Sequence, residues 1–230
     1  MSQPFKYLAA ILARGGSKRF PRKNLALFRG EPLVLRAVRT ALQAKVFCDV
    51  VVSSDDEEIL ELARRAGARV HRRAEEGSGD HVSSETSLRH LFDWMMCEGV
   101  LNQASHCMLL QPTSPLRTEA HIRESVGRFE ASGAASLWSV VESEWSAFKM
   151  CTLGPANAAD PISGWDRYDT PKDMLPKTYR PNGAIYIFNI AQFLNGGSIY
   201  NRPAVLYPMA QDISVDVDFA EDLRKAERIE

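Results

Sequence analysis

LAAILARGGSKRFPRKN, residues 8–24, joins a short apolar run to a loop that is rich in glycine and positive charge. The run Tyr7–Leu12 has the length of a buried strand, and Gly15 and Gly16 follow soon after it. Glycines at such a position let backbone N–H groups turn towards an anion. The stretch therefore predicts a strand that ends in an anion-binding loop.

The loop contains several cations and no acid between them: Arg14, Lys18, Arg19, Arg22 and Lys23. The first carboxylate of the chain is Glu31. Such a concentration of charge repels itself unless an anion lies within it. The spacing matches neither the G-x-x-x-x-G-K-[ST] phosphate loop nor the G-x-G-x-x-G fingerprint, which disfavours a kinase-type or dinucleotide site. A solvated basic loop without a ligand remains the alternative.

The bulk composition indicates one α/β domain. With 230 residues and a formal net charge of −1, the chain shows no general affinity for nucleic acid or for an anionic membrane. No apolar run approaches the roughly 18 residues of a spanning helix, and MSQPFKY lacks the apolar core of a signal peptide. We therefore expect a cytoplasmic protein. The four cysteines show no C-x-x-C spacing, so we expect buried thiols instead of a zinc site or disulfides.

The hydrophobic periodicity alternates between strands and helices. After the loop come a helical pattern over 32–46, a strand run over 49–54, a helix that is capped by acids and ends near Ala66, and a strand over 68–71. This order predicts parallel pairing with helices on the faces of the sheet. Further strands are expected over 107–110, 135–141, 182–188, 204–207 and 214–218, and further helices over 86–98, 118–131 and 219–229.

Residues 142–181 break this periodicity. They include Trp145 and Trp165 in a polar segment that contains several prolines. About forty residues without a regular pattern are too many for an ordinary loop in a compact domain. We therefore expect a lid, or an arm that packs on another subunit, inserted into a single domain over 1–230.

Two carboxylates stand two residues apart near the C-terminus. On a strand, Asp216 and Asp218 would face one side while Val215 and Val217 are buried on the other. Two hard oxygen ligands suit Mg²⁺, which completes its shell with water and substrate phosphates. The spacing of Asp218 to Glu221 is also that of a helix N-cap, so capping is the alternative role for Asp218.

Five segments together resemble, in order, the acylneuraminate cytidylyltransferases, the family that makes CMP-sialic acids and their bacterial analogues. They are ARGGSKRFPRKN (13–24), LLQPTSPLR (109–117), SVVESEWSAFK (139–149), YRPNGAIYI (179–187) and SVDVDFAEDL (214–223). The resemblance implies a three-layer, Rossmann-like α/β nucleotidyltransferase with a mostly parallel sheet. It also implies a homodimer in which 142–181 is the dimerisation arm.

The matching positions imply roles in the site. CTP, the co-substrate, would be held by Arg14, Ser17, Lys18, Lys23, Asn24, Arg73 and Ser84, with Asp80 in the same loop as Ser84. The sugar-acid pocket would be lined by Gln111, Lys149, Arg180, Asn182 and Tyr186. Mg²⁺ would be held by Asp216 and Asp218. Catalysis would rest on Arg14, Lys23 and Asp216, and Lys172 would reach the site of the partner. From the residues alone, ordinary structural roles stay open for Gln111, Tyr186 and Arg73.

The implied reaction transfers CMP from CTP to the anomeric hydroxyl of a sialic-type 2-keto-3-deoxy sugar acid, N-acetylneuraminic or legionaminic acid, and releases pyrophosphate. Two alternatives stay open: a 3-deoxy-manno-octulosonate cytidylyltransferase and a catalytically silent nucleotide-binding protein. The sequence departs from the family pattern in two places. Residues 77–85 lack the usual run of small residues, and Ile199–Tyr200 stands where some members carry an aromatic pair that receives the N-acyl group.

Overall fold

A computed structural model describes residues 7–73, 82–101 and 104–229. The helices in these ranges are α1 (Leu33–Ala44), α2 (Glu57–Arg65), α3 (Ser84–Cys97), α4 (Glu119–Ser132), α5 (Trp165–Asp169), α6 (Ile190–Leu194) and α7 (Ala220–Glu227). The strands are β1 (Tyr7–Leu12), β2 (Leu27–Phe28), β3 (Glu31–Pro32), β4 (Phe47–Ser54), β5 (Arg69–Arg72), β6 (His106–Leu109), β7 (Ser136–Glu142), β8 (Cys151–Leu153), β9 (Ala159–Pro161), β10 (Tyr179–Asn189) and β11 (Ala204–Pro208).

Seven strands form one sheet in the order β11-β7-β10-β6-β1-β4-β5. Strand β1 pairs in parallel with β4 and β6, and the pairs β4–β5 and β7–β11 are also parallel. Strand β10 runs antiparallel to both of its neighbours. The prediction of a mostly parallel sheet is therefore confirmed, with β10 as the exception.

The direction of β10 follows from the segment that precedes it. Strand β7 ends at Glu142, and β10 begins at Tyr179, which lies opposite Glu142 in the ladder. The intervening residues thus leave and rejoin the sheet at the same end. A chain that returns at the end where it left must run back along its neighbour, so β10 is antiparallel.

The sheet is covered on both faces. Strand β1 shows this most clearly, because Ala9 and Ile11 pack with α1, α2 and α4, whereas Leu8 and Ala10 pack with α3 and α6. All four side chains are fully buried. Strands buried on both faces read as continuous apolar runs, which is why the sequence identified β1 and β4. The result is the predicted three-layer α/β architecture.

The arrangement of β1, β4 and β6 creates the crevice in which ligands bind in open α/β sheets. The chain leaves β1 towards β4 on one side, and β6 joins β1 from the other side. Ligands of open α/β sheets bind outside the carboxyl ends of the strands at such a switch point. The basic loop 13–24 follows β1 and the loop 110–117 follows β6, so both lie at this edge.

The predicted strand over 214–218 is wrong. The described residues 214–217 belong to no sheet, and Val217 N–H donates instead to the carbonyl of Thr113 at 2.8 Å. Val215 and Val217 are nevertheless buried with Phe28 and Leu33. The two valines are therefore buried on either side of the exposed Asp216, as the alternation predicts, although no strand lies beside them.

Residues 142–181 are more regular than the sequence indicates. They contain the two-stranded antiparallel sheet β8–β9 and the short helix α5. Each piece is only three to five residues long, too short for a periodicity to be visible in the sequence.

The cysteines differ from the expectation of buried thiols. Cys107 in β6 is buried, but Cys48, Cys97 and Cys151 are exposed, and all four are free thiols. Dispersed spacing excluded a zinc pattern but contained no information on burial. Within 7–73, 82–101 and 104–229, no helix is both long and apolar enough to cross a membrane.

His71 lies in β5 at the edge of the sheet and is nearly buried. Its Nδ1 lies 3.0 Å from the Ser53 hydroxyl, and its ring stacks on Trp94 at 5.0 Å between centroids. Burial, with smaller contributions from the charges of Arg73 and His90, lowers the pKa of His71 from 6.5 to about 4. The folded state therefore favours the neutral ring.

We expect His71 to make the protein less stable in mild acid. Above pH 6.5 the ring is neutral in both states; as the pH falls towards about 4 the unfolded chain binds the proton first, and stability is lost. His71→Phe should flatten the dependence of the free energy of unfolding on pH in this window, measured by urea titration. His90→Gln, an exposed control on α3, should change the slope far less, and equal slopes for wild type and His71→Phe would contradict the assignment.

Candidate functional site

A cleft of about 360 Å³ opens at the carboxyl ends of β1 and β6. Most of its lining is polar, and it brings together side chains from the basic loop, the end of β5, the start of α3, the loop after β6 and the segment before α7. The lining residues are Leu12, Arg14, Arg19, Lys23, Asn24, Arg73, Val82, Ser84, Ser87, Leu109, Gln111, Pro112, Thr113 and Asp218.

The basic loop is attached to its surroundings at two points. Asp55, at the end of β4, accepts a hydrogen bond from Gly15 N–H at 2.8 Å. Asn24 is buried and donates from Nδ2 to the carbonyl of Arg14 at 2.8 Å. A Cβ on Gly15 would lie 2.7 Å from the Asp56 carboxylate, so no larger residue fits there without displacement. The loop therefore has a defined shape in the folded chain.

Asp218 lies between two cations of that loop. Its Oδ1 is 3.0 Å from Lys23 Nζ, and its Oδ2 is 3.0 Å from Arg19 Nη1. Partial burial acts to raise the pKa of Asp218, but the hydrogen bond from Lys23 and the charges of Lys23, Arg19 and Arg14 together hold it below its usual value. The carboxylate is therefore ionised and joins the first loop of the chain to its last segment.

The alternative role of Asp218 as a helix cap is wrong. Asp222 instead accepts hydrogen bonds from the N–H groups of Asp218 and Phe219, at 2.9 and 2.8 Å. The acid three residues into the helix thus supplies the cap, and the side chain of Asp218 is directed to Lys23 and Arg19. Arg19 also lies 5.6 Å from the centre of the Phe219 ring.

Asp216 lies beside the loop that follows β6. A Cβ built on Gly183 would lie 3.5 Å from Asp216 Oδ2 and 3.1 Å from Gln111 Oε1. Burial raises the pKa of Asp216; a hydrogen bond with Thr113 lowers it, and the charge of Asp218 raises it further. A carboxylate whose pKa is raised by burial and by a second carboxylate is a place where a cation is stabilising.

The two carboxylates fit Mg²⁺. No group of three or more His, Cys, Asp or Glu side chains able to hold a metal occurs among the residues that the structure describes. Mg²⁺ differs from zinc in needing only one or two protein carboxylates, with waters and substrate phosphates as its other ligands. Asp216 and Asp218 match this requirement in number and in ligand type, and Asp218 is ion-paired with Lys23 and Arg19 in the structure.

Arg73 forms the wall of the cleft next to α3. Its Nη1 donates to the Ser87 hydroxyl at 2.8 Å and its Nη2 to the carbonyl of Ser53 at 3.1 Å. Burial lowers its pKa, and Asp55 acts in the opposite direction. Ser84 is the first residue of α3 and lines the same wall. Asp80 lies outside the described residues.

The predicted site residues divide into two sets. Those that line the cleft are Arg14, Lys23, Asn24, Arg73, Ser84, Gln111 and Asp218. Ser17 and Lys18 lie in the same loop but outside the lining. Asp216 adjoins Gln111, as described above.

Four residues predicted for the sugar acid lie outside the cleft lining. Lys149 Nζ donates to the carbonyl of Tyr168 and lies 5.4 Å from the centre of its ring, within the inserted segment. Arg180 is exposed on β10. Asn182 is buried and bonded to Ser139 Oγ at 2.6 Å.

The fourth, Tyr186, is buried in β10, where it pairs with Leu109 of β6. Its ring centre lies 5.9 Å from that of Tyr200, and Tyr200 in turn meets Trp138 at 5.1 Å. Burial raises the pKa of Tyr186, with further contributions from Tyr200 and Asp216. The phenol is therefore neutral.

Arg19 and Asp55 are among the residues of the site to which the sequence assigned no role. Arg19 falls outside the positions carried by the resemblance, yet it lines the cleft and binds Asp218. Asp55 and Thr113 contact site residues through hydrogen bonds that depend on the fold. Arg19 left a signal in the sequence as one of the cations of the basic loop, and Thr113 left one as a polar residue between two prolines in the loop 111–117.

Known proteins resemble the chain in sequence and in structure. A family model described as cytidylyltransferase matches residues 8–149. The pseudaminic acid cytidylyltransferase of Campylobacter jejuni strain 81-176 is 28% identical over 222 residues, which cover 96% of this chain and 94% of that protein. The N-acylneuraminate cytidylyltransferase of Streptococcus agalactiae (strain 2603 V/R) is 31% identical over 94% of this chain, and the match spans 51% of that protein.

Among solved structures, CMP:2-keto-3-deoxy-manno-octonic acid synthetase complexed with CTP superposes with a TM-score of 0.70 and covers 97% of each chain. The sequence identity is 17%, so this likeness concerns the fold.

The contacts of Asp218 predict unequal roles for the loop cations. Lys23→Ala should weaken CTP binding roughly tenfold or more, because its ammonium is mostly shielded from solvent, with 15% of the side chain exposed. Arg19→Ala, 62% exposed, should weaken it by only a few-fold. Arg22→Ala is the control, since Arg22 pairs with Glu58 away from the cleft. Calorimetric titration measures all three, and equal losses would indicate a diffuse electrostatic loop.

Proposed function

The chain belongs to the cytidylyltransferase family and is a nucleotidyltransferase, and on this premise we propose that it transfers CMP from CTP to the anomeric hydroxyl of a sialic-type 2-keto-3-deoxy sugar acid. The observation on which this depends is the cleft at the switch point, where loop cations face Gln111 and Asp218. The names of the relatives from Campylobacter jejuni and Streptococcus agalactiae, which act on pseudaminic and N-acylneuraminic acids, support this class of acceptor.

In this reaction the anomeric oxygen attacks the α-phosphorus of CTP and the bond to the pyrophosphate oxygen breaks. The hydroxyl proton passes to water, and pyrophosphate leaves with the electron pair of the broken bond. Arg14 and Lys23 would neutralise the charge that develops on the phosphoryl oxygens, an effect typically worth several kcal/mol. Asn24 would keep Arg14 in place through the carbonyl that it binds, while Ser17 and Lys18 would bind the phosphates from the same loop.

The remaining predicted residues would bind the two substrates. Arg73 and Ser84 would reach the cytosine and ribose from the wall formed by β5 and α3. Gln111, Asn182 and Tyr186 would shape the acceptor side. Lys149 and Arg180 would meet the sugar carboxylate, because a carboxylate needs a cation and arginine offers two parallel donors. The reaction would take place in the cytoplasm, where CTP is available.

Pyrophosphate release from CTP tests the proposal directly. The acceptors to compare are N-acetylneuraminic, legionaminic, pseudaminic and 3-deoxy-manno-octulosonic acid. We expect release with at least one of the first three acids and little with the last. Release with the octulosonic acid alone would establish the other sugar class, and CTP binding without release with any acid would establish a silent nucleotide-binding protein.

For the metal, we propose that Asp216 and Asp218 hold Mg²⁺, which would supply charge neutralisation on the phosphates. Asp216→Asn should lower turnover by about a hundredfold or more while barely changing stability, because the amide keeps the volume but loses a ligand charge. Binding of Mn²⁺, followed by its electron paramagnetic resonance in the presence of CTP, should weaken in parallel. Unchanged turnover at limiting Mg²⁺ would contradict this role.

The inserted segment supports a dimer. Trp145, Leu153 and Met174 are each at least 75% exposed in the single chain, and Trp165 is 54% exposed. Exposed large apolar side chains in one segment mark an interaction surface. We propose a homodimer in which 142–181 of each copy packs on the other, with Lys172 contributing to the site of its partner.

Dilution should reveal this dimer. Specific activity should fall as the protein is diluted below its dimer dissociation constant, because Lys172 then no longer reaches the other site. Trp145→Ser should move this fall to higher protein concentration, since it removes an apolar anchor. Trp138→Phe is the control, because Trp138 is half-buried in β7, outside the segment. It should not change the protein concentration at which activity falls. A fully active monomer in analytical ultracentrifugation would overturn both the dimer and the contribution of Lys172.

A further inference from the structure

Arg117 is a buried arginine without a carboxylate partner. Only 3% of its surface is exposed, and no ion pair within the described ranges includes it. Its Nη1 donates to two carbonyls, those of Gln111 at 2.9 Å and Ala184 at 2.8 Å. Its Nε has no hydrogen-bond partner among the described atoms. Burial, together with the charge of Arg36, lowers the pKa of Arg117 to about 9.

Stability alone does not account for such a residue. A buried cation loses its hydration, and without an opposite charge this loss is not recovered. The same turn also contains the Ser114 hydroxyl, buried and without a partner. Each unsatisfied buried polar group is destabilising. The contribution of Arg117 therefore lies in the two carbonyls that it joins.

Each of these carbonyls belongs to a segment that faces the site. Gln111 lines the cleft, and Ala184 lies where the ladder between β10 and β7 shifts register, between Pro181 and Tyr186. The neighbouring Gly183 has φ of 78° and lies against both the Gln111 amide and the Asp216 carboxylate. The guanidinium thus sets the distance between the end of β6 and this irregular part of β10.

We propose that Arg117 is a positioning residue for the sugar-acid half of the site, holding Gln111 and the turn over 182–185 at a fixed separation. This inference rests on the proposed function. The predicted nucleotide residues lie on other segments: the loop 13–24, the end of β5 and the start of α3. Loss of Arg117 should therefore affect the acceptor far more than CTP.

Arg36 provides a matched control. It reaches the same loop from α1, donating from Nε to the carbonyl of Pro115, and its guanidinium lies 4.8 Å from the centre of the Phe28 ring. It supports the outer part of the loop, and among the described residues it forms no hydrogen bond with Gln111 or Ala184. A merely structural contribution to the loop would be common to Arg36 and Arg117.

The test compares Arg117→Met, Arg117→Lys and Arg36→Met with wild type. For Arg117→Met we expect the KM for the sugar acid to rise by about tenfold or more, since small misplacements in a site have large effects. Its CTP affinity, measured by calorimetry, should stay within about twofold. Arg117→Lys should recover part of the loss, because an ammonium also has donors for two carbonyls. Arg36→Met should leave both constants unchanged.

Several outcomes would overturn the inference. One is a wild-type KM for the sugar acid in Arg117→Met, and another is an equal loss of acceptor and CTP binding in Arg117→Met and Arg36→Met. If Arg117→Met does not fold, Arg117→Lys decides the matter, and a loss of CTP affinity as large as the rise in its KM for the sugar acid would overturn the proposal. Absence of pyrophosphate release by the wild-type protein with every acid would instead overturn the proposed function together with this inference.

Discussion

The ion pairs of Asp218 with Lys23 and Arg19 join two parts of the chain that lie 195 residues apart in the case of Lys23. Without a carboxylate at this place, the cations of the basic loop would face one another across the cleft. With it, the loop can keep its positive charge in the folded protein and still present Arg14 and Lys23 to a ligand. The negative charge of Asp218 thus offsets the repulsion among the cations of loop 13–24.

The central sheet was readable in the sequence because β1 and β4 are buried on both faces and appear as apolar runs. The sequence also predicted the set of cations after β1 and the pair of carboxylates before α7. The sequence did not predict which cation forms an ion pair with which carboxylate. Arg19, to which the resemblance assigns no role, reaches Asp218 only because loop 13–24 folds back over the segment before α7.

Two wrong predictions, the strand over 214–218 and the helix cap by Asp218, have a common physical origin. The alternation in 214–218 reports which side chains are buried, whereas a strand requires a neighbouring strand for its hydrogen bonds, and burial and pairing are separate properties. The capping spacing of Asp218 likewise reports a possible local bond, but two cations nearby offered a stronger interaction. In both cases a local pattern was compatible with two structures, and distant parts of the chain selected one.

The pairing of Glu142 with Tyr179 means that the inserted segment begins and ends at neighbouring points of the sheet. The entropy of closing such a loop grows only slowly with its length. The segment can therefore lengthen, shorten or change its surface while the strands beneath it keep their register. None of the described residues that line the cleft belongs to this segment, so its length and surface can change while the cleft keeps its lining.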